Sequence, residues 1–334
     1  MAPAEIAPTP LLYPQKFDAA RDALLFITMD ETAYRAASFL DDRVLAPGQA
    51  SEWRPFPAVA AAMDAAQGLK PLHFIFHTGH VGSTLLSRLI DQTGTVLGLR
   101  EPLPLRTLAE MADAQAAGFD ARLATFLKLW RRGFARTQSV VLKATSTGGR
   151  LAPALLAASS PSRAVYLNLK AEPYLATILA GANALVDLKG FEAERHARLR
   201  RLLDGPDIAA ASVGELAAKT WLTESLTRAQ AIAAGGPRVL PLDFDALLAD
   251  VPGTMAAVLR HFGIAEPPAF AQSIARSPVL TRYSKAPQQF EYSPRFRAQL
   301  LSQARREHSG EIAKGLALLE SVARREPRVA ALLG

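Results

Sequence analysis

The residues best suited to chemistry stand together in His77-Thr-Gly-His-Val-Gly-Ser-Thr84. Ahead of them, Leu72 to Phe76 is a mostly apolar run of strand length. Behind them, Leu85, Leu86, Leu89 and Ile90 fall at helical spacing, with Ser83 placed to cap that helix. A strand, a glycine turn and a helix N-terminus make an anion cradle. Backbone N–H groups converge there, and the positive end of the helix dipole favours phosphate or sulfate. The turn is not a Walker A loop, which needs four residues between its glycines and a Lys before Ser or Thr. Here Gly79 and Gly82 enclose only His80 and Val81, and Gly82 runs directly into Ser83 and Thr84.

Further polar residues close other apolar runs. Glu101 follows the run Thr95 to Leu99, Lys143 lies at the end of Ser139 to Ala144, and Lys170 follows Arg163 to Leu169. A carboxylate at a strand end beside the cradle is a candidate general base, and a lysine there can offset charge on an anion. A fifth run, Arg238 to Phe244, carries Asp243, with Asp245 just after it. Either can cap the next helix, and Asp243 also stands where a kinase or NTPase would hold Mg²⁺. Arg282 and Lys285 sit in a late loop, about 278–292, as a possible basic clamp on an anion.

Composition narrows the classes. A chain of 334 residues with 49% hydrophobic and 21% charged residues can bury a large core, as one domain or one with appended helices. The formal charge of +7 suits an anionic ligand, but it is dispersed and forms no basic arm, so nucleic acid is not expected as a partner. There is no Cys, which removes disulfides and thiolate chemistry. Three of the six histidines are His73, His77 and His80. Four residues on a strand span roughly 13 Å, so His73 and His77 cannot share one ion, and no metal site is expected. Neither a secretory leader nor a span of membrane length is visible, which leads to the expectation of a cytoplasmic protein.

The elements that must position these residues follow from pattern. Residues 1–16, with Pro3, Pro8, Pro10 and Pro14, read as an irregular arm. A mainly helical preface then runs from Phe17 to Gln67, with Asp30 capping one helix through Leu40, a second helix from Phe56 to Gln67, and room for a short strand at Leu24–Thr28. Arm and preface, residues 1–70, are expected to pack on an α/β domain over 71–334. There, helices separate the five apolar runs, and the part after the fifth is helical apart from the late loop. Such alternation predicts a parallel five-stranded sheet covered on both faces, with ligands beyond the carboxyl ends of its strands. Trp130 and Trp221 fall in helical blocks and read as core or lid residues.

The glycine turn resembles the 5′-phosphosulfate loop of the sulfotransferase superfamily, a Lys-x-Gly-Thr-Thr run. Gly82, Ser83 and Thr84 match its Gly-Thr-Thr part, and His80 stands at the basic position. The stretch Leu242 to Asp250, with Pro252 and His261-Phe-Gly263 after it, is similar to the family's Tyr-Glu-Asp-Leu run and the helix behind it. The resemblance implies a P-loop-like fold and sulfonate transfer from PAPS, leaving PAP, to a hydroxyl or amine of a small-molecule or carbohydrate acceptor. It implies that Gly79, His80, Val81, Gly82, Ser83 and Thr84 hold the phosphosulfate, that His80 and Lys143 neutralise the leaving oxygen, and that Glu101 takes the acceptor proton. Lys170, Thr177, Arg282 and Lys285 would serve the 3′-phosphate. The chain departs from the family in Ala171 where an Arg belongs, Leu85 where many members have Trp, and Ala144-Thr145 where a His follows the third strand in cytosolic members. Two further readings stay open: a P-loop kinase or NTPase, and a non-catalytic nucleotide-binding module.

Overall fold

The computed structural model describes residues 9–205, 207–282 and 293–333. Its centre is a parallel sheet of five strands: β4 (Leu72–His77), β5 (Val96–Arg100), β6 (Ser139–Lys143), β7 (Ala164–Asn168) and β8 (Val239–Asp243), in the order β5-β6-β4-β7-β8. The fold class expected from the alternation of strands and helices is the one found. β4, β5 and β6 are buried at every position, which is why they read as continuous apolar runs rather than alternating ones.

Alternation along the strands splits the core in two. Ile75, Val141, Val165 and Leu167 face the helices Ser83–Asp91, Ala171–Ala180, Val213–Gly235 and Val251–Phe262. Phe74, Phe76, Val140 and Leu142 face the helices Pro104–Asp113, Phe119–Trp130 and Ala152–Ala158 together with the N-terminal residues. β4 is central, and the chain reaches β6 on one side and β7 on the other. The turn after β4 therefore opens at the switch point of the sheet, where open α/β folds bind ligands.

The N-terminal part departs from the helical expectation. It holds an antiparallel sheet of β1 (Leu12–Asp18), β2 (Ala23–Thr28) and β3 (Ser51–Pro55), in that order. The expected strand at Leu24–Thr28 is the centre of this sheet, but residues 12–16 are strand rather than irregular arm. Pro14 is tolerated because β1 pairs on one side only, and the register shifts between Pro14 and Lys16. β3 is almost wholly exposed, so it carries no apolar alternation to betray it. Helices are shorter than expected: Asp30 does cap one, accepting the Ala33 N–H at 2.7 Å, but it ends at Ala36. Tyr13, Phe17 and Phe26 share one cluster with Leu99 and Leu105, so the preface packs on the main sheet. Among the described residues no helix is long and apolar enough to cross a membrane.

Candidate active site

The turn after β4 is tied to both neighbouring strands before it opens. The His77 ring Nε2 donates to the Ala144 carbonyl at 2.9 Å, while its Nδ1 accepts the Gly79 N–H at 3.0 Å. Those two bonds fix a neutral tautomer and pin the turn to the end of β6. The Thr78 N–H reaches the Leu167 carbonyl of β7 at 3.1 Å. Gly79, which the resemblance counts among the ligand-holding residues, thus has its N–H engaged by His77. Val81 is fully buried among core residues, so its side chain is part of the packing and only its backbone lies in the turn.

Gly79, His80 and Gly82 all have left-handed backbone, with φ of 87°, 54° and 72°. At Gly82 the requirement for glycine is twofold, because an added Cβ would also lie 2.0 Å from the Phe244 ring. Gly82 is the N-cap of the helix Ser83–Asp91, so Ser83 is its first residue and not the cap expected from the sequence. With glycine at the cap, no cap side chain bonds the first N–H groups of that helix, and among the described residues none is seen to take its place. Ser83 and Thr84 are buried beside it, and among the described residues the Thr84 and Thr78 hydroxyls find no hydrogen-bond partner. Buried hydroxyls without partners at an open helix N-terminus fit an anion with several acceptor oxygens.

Glu101 and Lys143 form an ion pair, Nζ to Oε1. The Lys143 side chain is fully buried and that of Glu101 is 11% exposed. Lys143 stands level with Ile75 on β4 and Arg100 on β5. Alternation puts it on the sheet face of Val141, which the helix Ser83–Asp91 covers. Glu101 also has left-handed backbone, φ 56°, with its N–H held by the Lys143 carbonyl at 2.7 Å. Two side chains that the sequence offered separately are one unit, covered from the preface by Phe39, whose ring centre is 5.9 Å from Nζ. Arg100 and Arg106, which could have paired with Glu101, are engaged elsewhere, with Asp91 and Asp41.

His80 faces a carboxylate that the sequence did not single out. Its Nε2 lies 3.5 Å from Asp187 Oδ2 on the helix Ala182–Gly190, and Arg195 binds the same oxygen at 2.9 Å. Burial would raise the Asp187 pKa, but hydrogen bonds and charge from His80 and Arg195 outweigh it and hold the carboxyl well below its ordinary range. No local pattern marks these partners, since they lie more than a hundred residues from His80 and belong to helices with ordinary composition.

The side beyond β7 is different. Lys170 is exposed, as is Arg282, and Lys285 lies outside the described residues. The Thr177 hydroxyl donates to the Pro173 carbonyl of its own helix at 2.7 Å, so it is not turned to a ligand. A cation that sequence reasoning missed comes nearer the loop. Arg297, on the helix Pro294–Glu307, pairs with Asp245 at 2.7 Å and lies 5.0 Å from the centre of the Phe244 ring that packs on Gly82. Its Nη2 is buried without a hydrogen-bond partner among the described residues. Asp243, the candidate Mg²⁺ ligand, caps the helix Phe244–Ala249 by accepting from Asp245 and Ala246.

No protein-family model and no curated protein matches the sequence. Among solved structures the chain is similar in fold to several sulfotransferases. A sulfotransferase domain from the curacin biosynthetic pathway is 12% identical, with 75% of this chain and 98% of that one covered and a TM-score of 0.42. A mouse sulfotransferase complexed with PAP is 11% identical, covering 82% and 92%, again with a TM-score of 0.42. A sulfotransferase from Mycobacterium tuberculosis is 14% identical over 72% and 77%, with a TM-score of 0.39.

Proposed function

We propose that this chain transfers a sulfonate from PAPS to a hydroxyl or amine of a small-molecule or carbohydrate acceptor. The observation that carries this reading is the turn itself. A glycine-capped helix N-terminus at the switch point of the sheet carries the buried Thr84 hydroxyl, which like that of Thr78 has no partner among the described residues, and a buried Glu101–Lys143 pair closes the adjacent strands. Thr84 and the first N–H groups of the helix Ser83–Asp91 would bind the 5′-phosphosulfate, which supplies the electrophilic sulfur. His80 and Lys143 would offset negative charge left on the nucleotide, and Glu101 would accept the acceptor proton. Such transfer, like phosphoryl transfer, rests on positioning and charge stabilisation. The kinase reading is weakened because Asp243 Oδ1 is taken up in capping the helix Phe244–Ala249.

Calorimetry with PAP, ATP and ATP with Mg²⁺ tests this reading. PAP binding in the presence of a chelator is expected, with a raised melting temperature. Mg²⁺-dependent ATP binding with no response to PAP would overturn it.

A further inference from the structure

His80 ends a chain of alternating charges that runs through the helical side of the molecule. From His80 it passes to Asp187, Arg195, Glu224, Arg198, Glu194, Arg150, Asp113 and Arg201. Glu224 lies between Arg195 and Arg198, with Oε1 at 3.5 and 2.6 Å from them. Glu194 lies between Arg198 and Arg150 at 3.1 and 3.4 Å, and Asp113 between Arg150 and Arg201 at 3.0 and 3.1 Å. Each of these carboxylates has a guanidinium on both sides. Asp187 alone in this chain has a guanidinium on one side and His80 on the other.

Four carboxylates and four guanidinium groups balance without His80, so the chain's charge does not by itself decide the imidazole's state. The local arrangement does. Asp187 presents one oxygen to both Arg195 and His80, and its side chain is 29% exposed against 2% for Arg195. Among the described residues, Glu224 behind Arg195 and the Tyr174 hydroxyl, which burial keeps protonated and which donates to the Thr78 carbonyl, also lie close to this corner. On the loop's own side, His77 is held neutral by its two bonds. An ionised carboxylate in contact with an imidazole favours the imidazolium.

We infer that Asp187 is a positioning residue that holds His80 as an imidazolium beside the turn, so that the Asp187–His80 pair does the work of a permanently charged side chain. The strained backbone of His80 is consistent with this, because a non-glycine residue at φ 54° persists only where its surroundings fix it. The inference rests on the sulfotransferase reading for its ligand, a 5′-phosphosulfate, but not for the pairing itself.

The test joins histidine NMR with PAP calorimetry on the full chain. In wild type, the His80 resonance, assigned by its loss in His80→Lys, should titrate at higher pH than the histidines of the urea-unfolded chain. In Asp187→Asn it should move to lower pH by about one unit, and PAP affinity should fall up to about tenfold near pH 7.5 but much less at pH 6. In the His80→Lys background, Asp187→Asn should produce no such pH-dependent gap. Asp187→Asn leaves Arg195 with Glu224, and the wild-type titration decides the matter even if the variant does not fold. A wild-type His80 that titrates at or below the unfolded value overturns the inference. So does an Asp187→Asn loss that is equal at both pH values or persists in the His80→Lys background. If PAP fails to bind wild type at any pH, the sulfotransferase reading falls, and the NMR arm still judges the pairing.

Discussion

The two halves of the carboxyl edge of the sheet are built differently. Between β5 and β4 the polar groups are buried and held from several directions: Lys143 by Glu101, Gly79 by His77, and Gly82 by the Phe244 ring. Beyond β7, Lys170 and Arg282 are exposed, and Thr177 bonds to its own helix. Burying a charge or leaving a hydroxyl unpartnered costs stability, whereas an exposed lysine costs almost nothing. Groups kept in place against such a cost are stronger candidates for function than groups that are merely well placed in sequence.

The sharpest way to break that contrast is Glu101→Gln. Loss of general-base help lowers turnover by roughly 10²–10⁴-fold, and PAP affinity should change little. The ion pair adds an expectation that the sequence could not supply, which is a stability loss. Removing one member of a buried pair strands the other, at a cost that reaches about 3–5 kcal/mol when no polar group replaces it. Gln keeps a hydrogen-bonding oxygen, so a smaller drop in melting temperature is expected. Glu101→Gln with Lys143→Met should recover stability without recovering turnover. Thermal denaturation alongside a turnover assay separates these effects. A stable, fully active Glu101→Gln protein would place the pair in the scaffold.

A middle-sized effect is expected in the turn. Gly82→Ala introduces a Cβ 2.0 Å from the Phe244 ring at φ 72°, while Gly79→Ala, at φ 87°, meets nothing nearer than 3.6 Å. Overpacking adds about 1–3 kcal/mol to the strain of a left-handed alanine. PAP affinity should therefore fall at least about tenfold in Gly82→Ala and distinctly less in Gly79→Ala. Equal losses would show that backbone strain, and not the close approach of Phe244, shapes the cradle.

How much of this was legible follows the same division. All five strands of the main sheet announce themselves as apolar runs; in β4, β5 and β6 burial at every position leaves little room for polar residues, whereas the edge strand β8 is only partly buried. The glycine turn was visible because its conformation depends on neighbours in sequence. β3 was hidden because its exposed residues carry no pattern. Asp187, which meets His80, and Arg297, which meets the Phe244 ring packed on Gly82, were hidden because each comes from a helix far along the chain, where an Arg or Asp looks like any solvated side chain. The Glu101–Lys143 pair was half legible. Both positions stood out at strand ends, but only the pairing of β5 with β6 puts them in contact.

The smallest effect should come from Thr177, and its smallness is informative beside Arg297. Thr177 is the nearest hydroxyl to the serine that the resemblance requires, yet its hydrogen goes to the Pro173 carbonyl. Thr177→Ala removes a bond internal to one helix turn, and surface-like changes of this kind stay within about 0.5 kcal/mol. PAP affinity should then move by less than about twofold. Arg297 offers a buried Nη2, without a hydrogen-bond partner among the described residues, next to Phe244 and thus close to the cradle. A hydrogen bond to a charged group contributes about 1.5–3 kcal/mol, so Arg297→Ala should weaken PAP by roughly tenfold or more. It also frees Asp245 and uncovers Phe244, which a melting curve would reveal as lost stability. Arg297→Lys keeps a charge near Asp245 and serves as the control, since it loses the fork of the guanidinium while retaining much of the packing. The measurement is a PAP titration of the three variants at fixed pH and salt. If Thr177→Ala loses more affinity than Arg297→Ala, the hydroxyl must leave Pro173 when nucleotide binds, and the ligand side of this half is the helix Ala171–Ala180 after all.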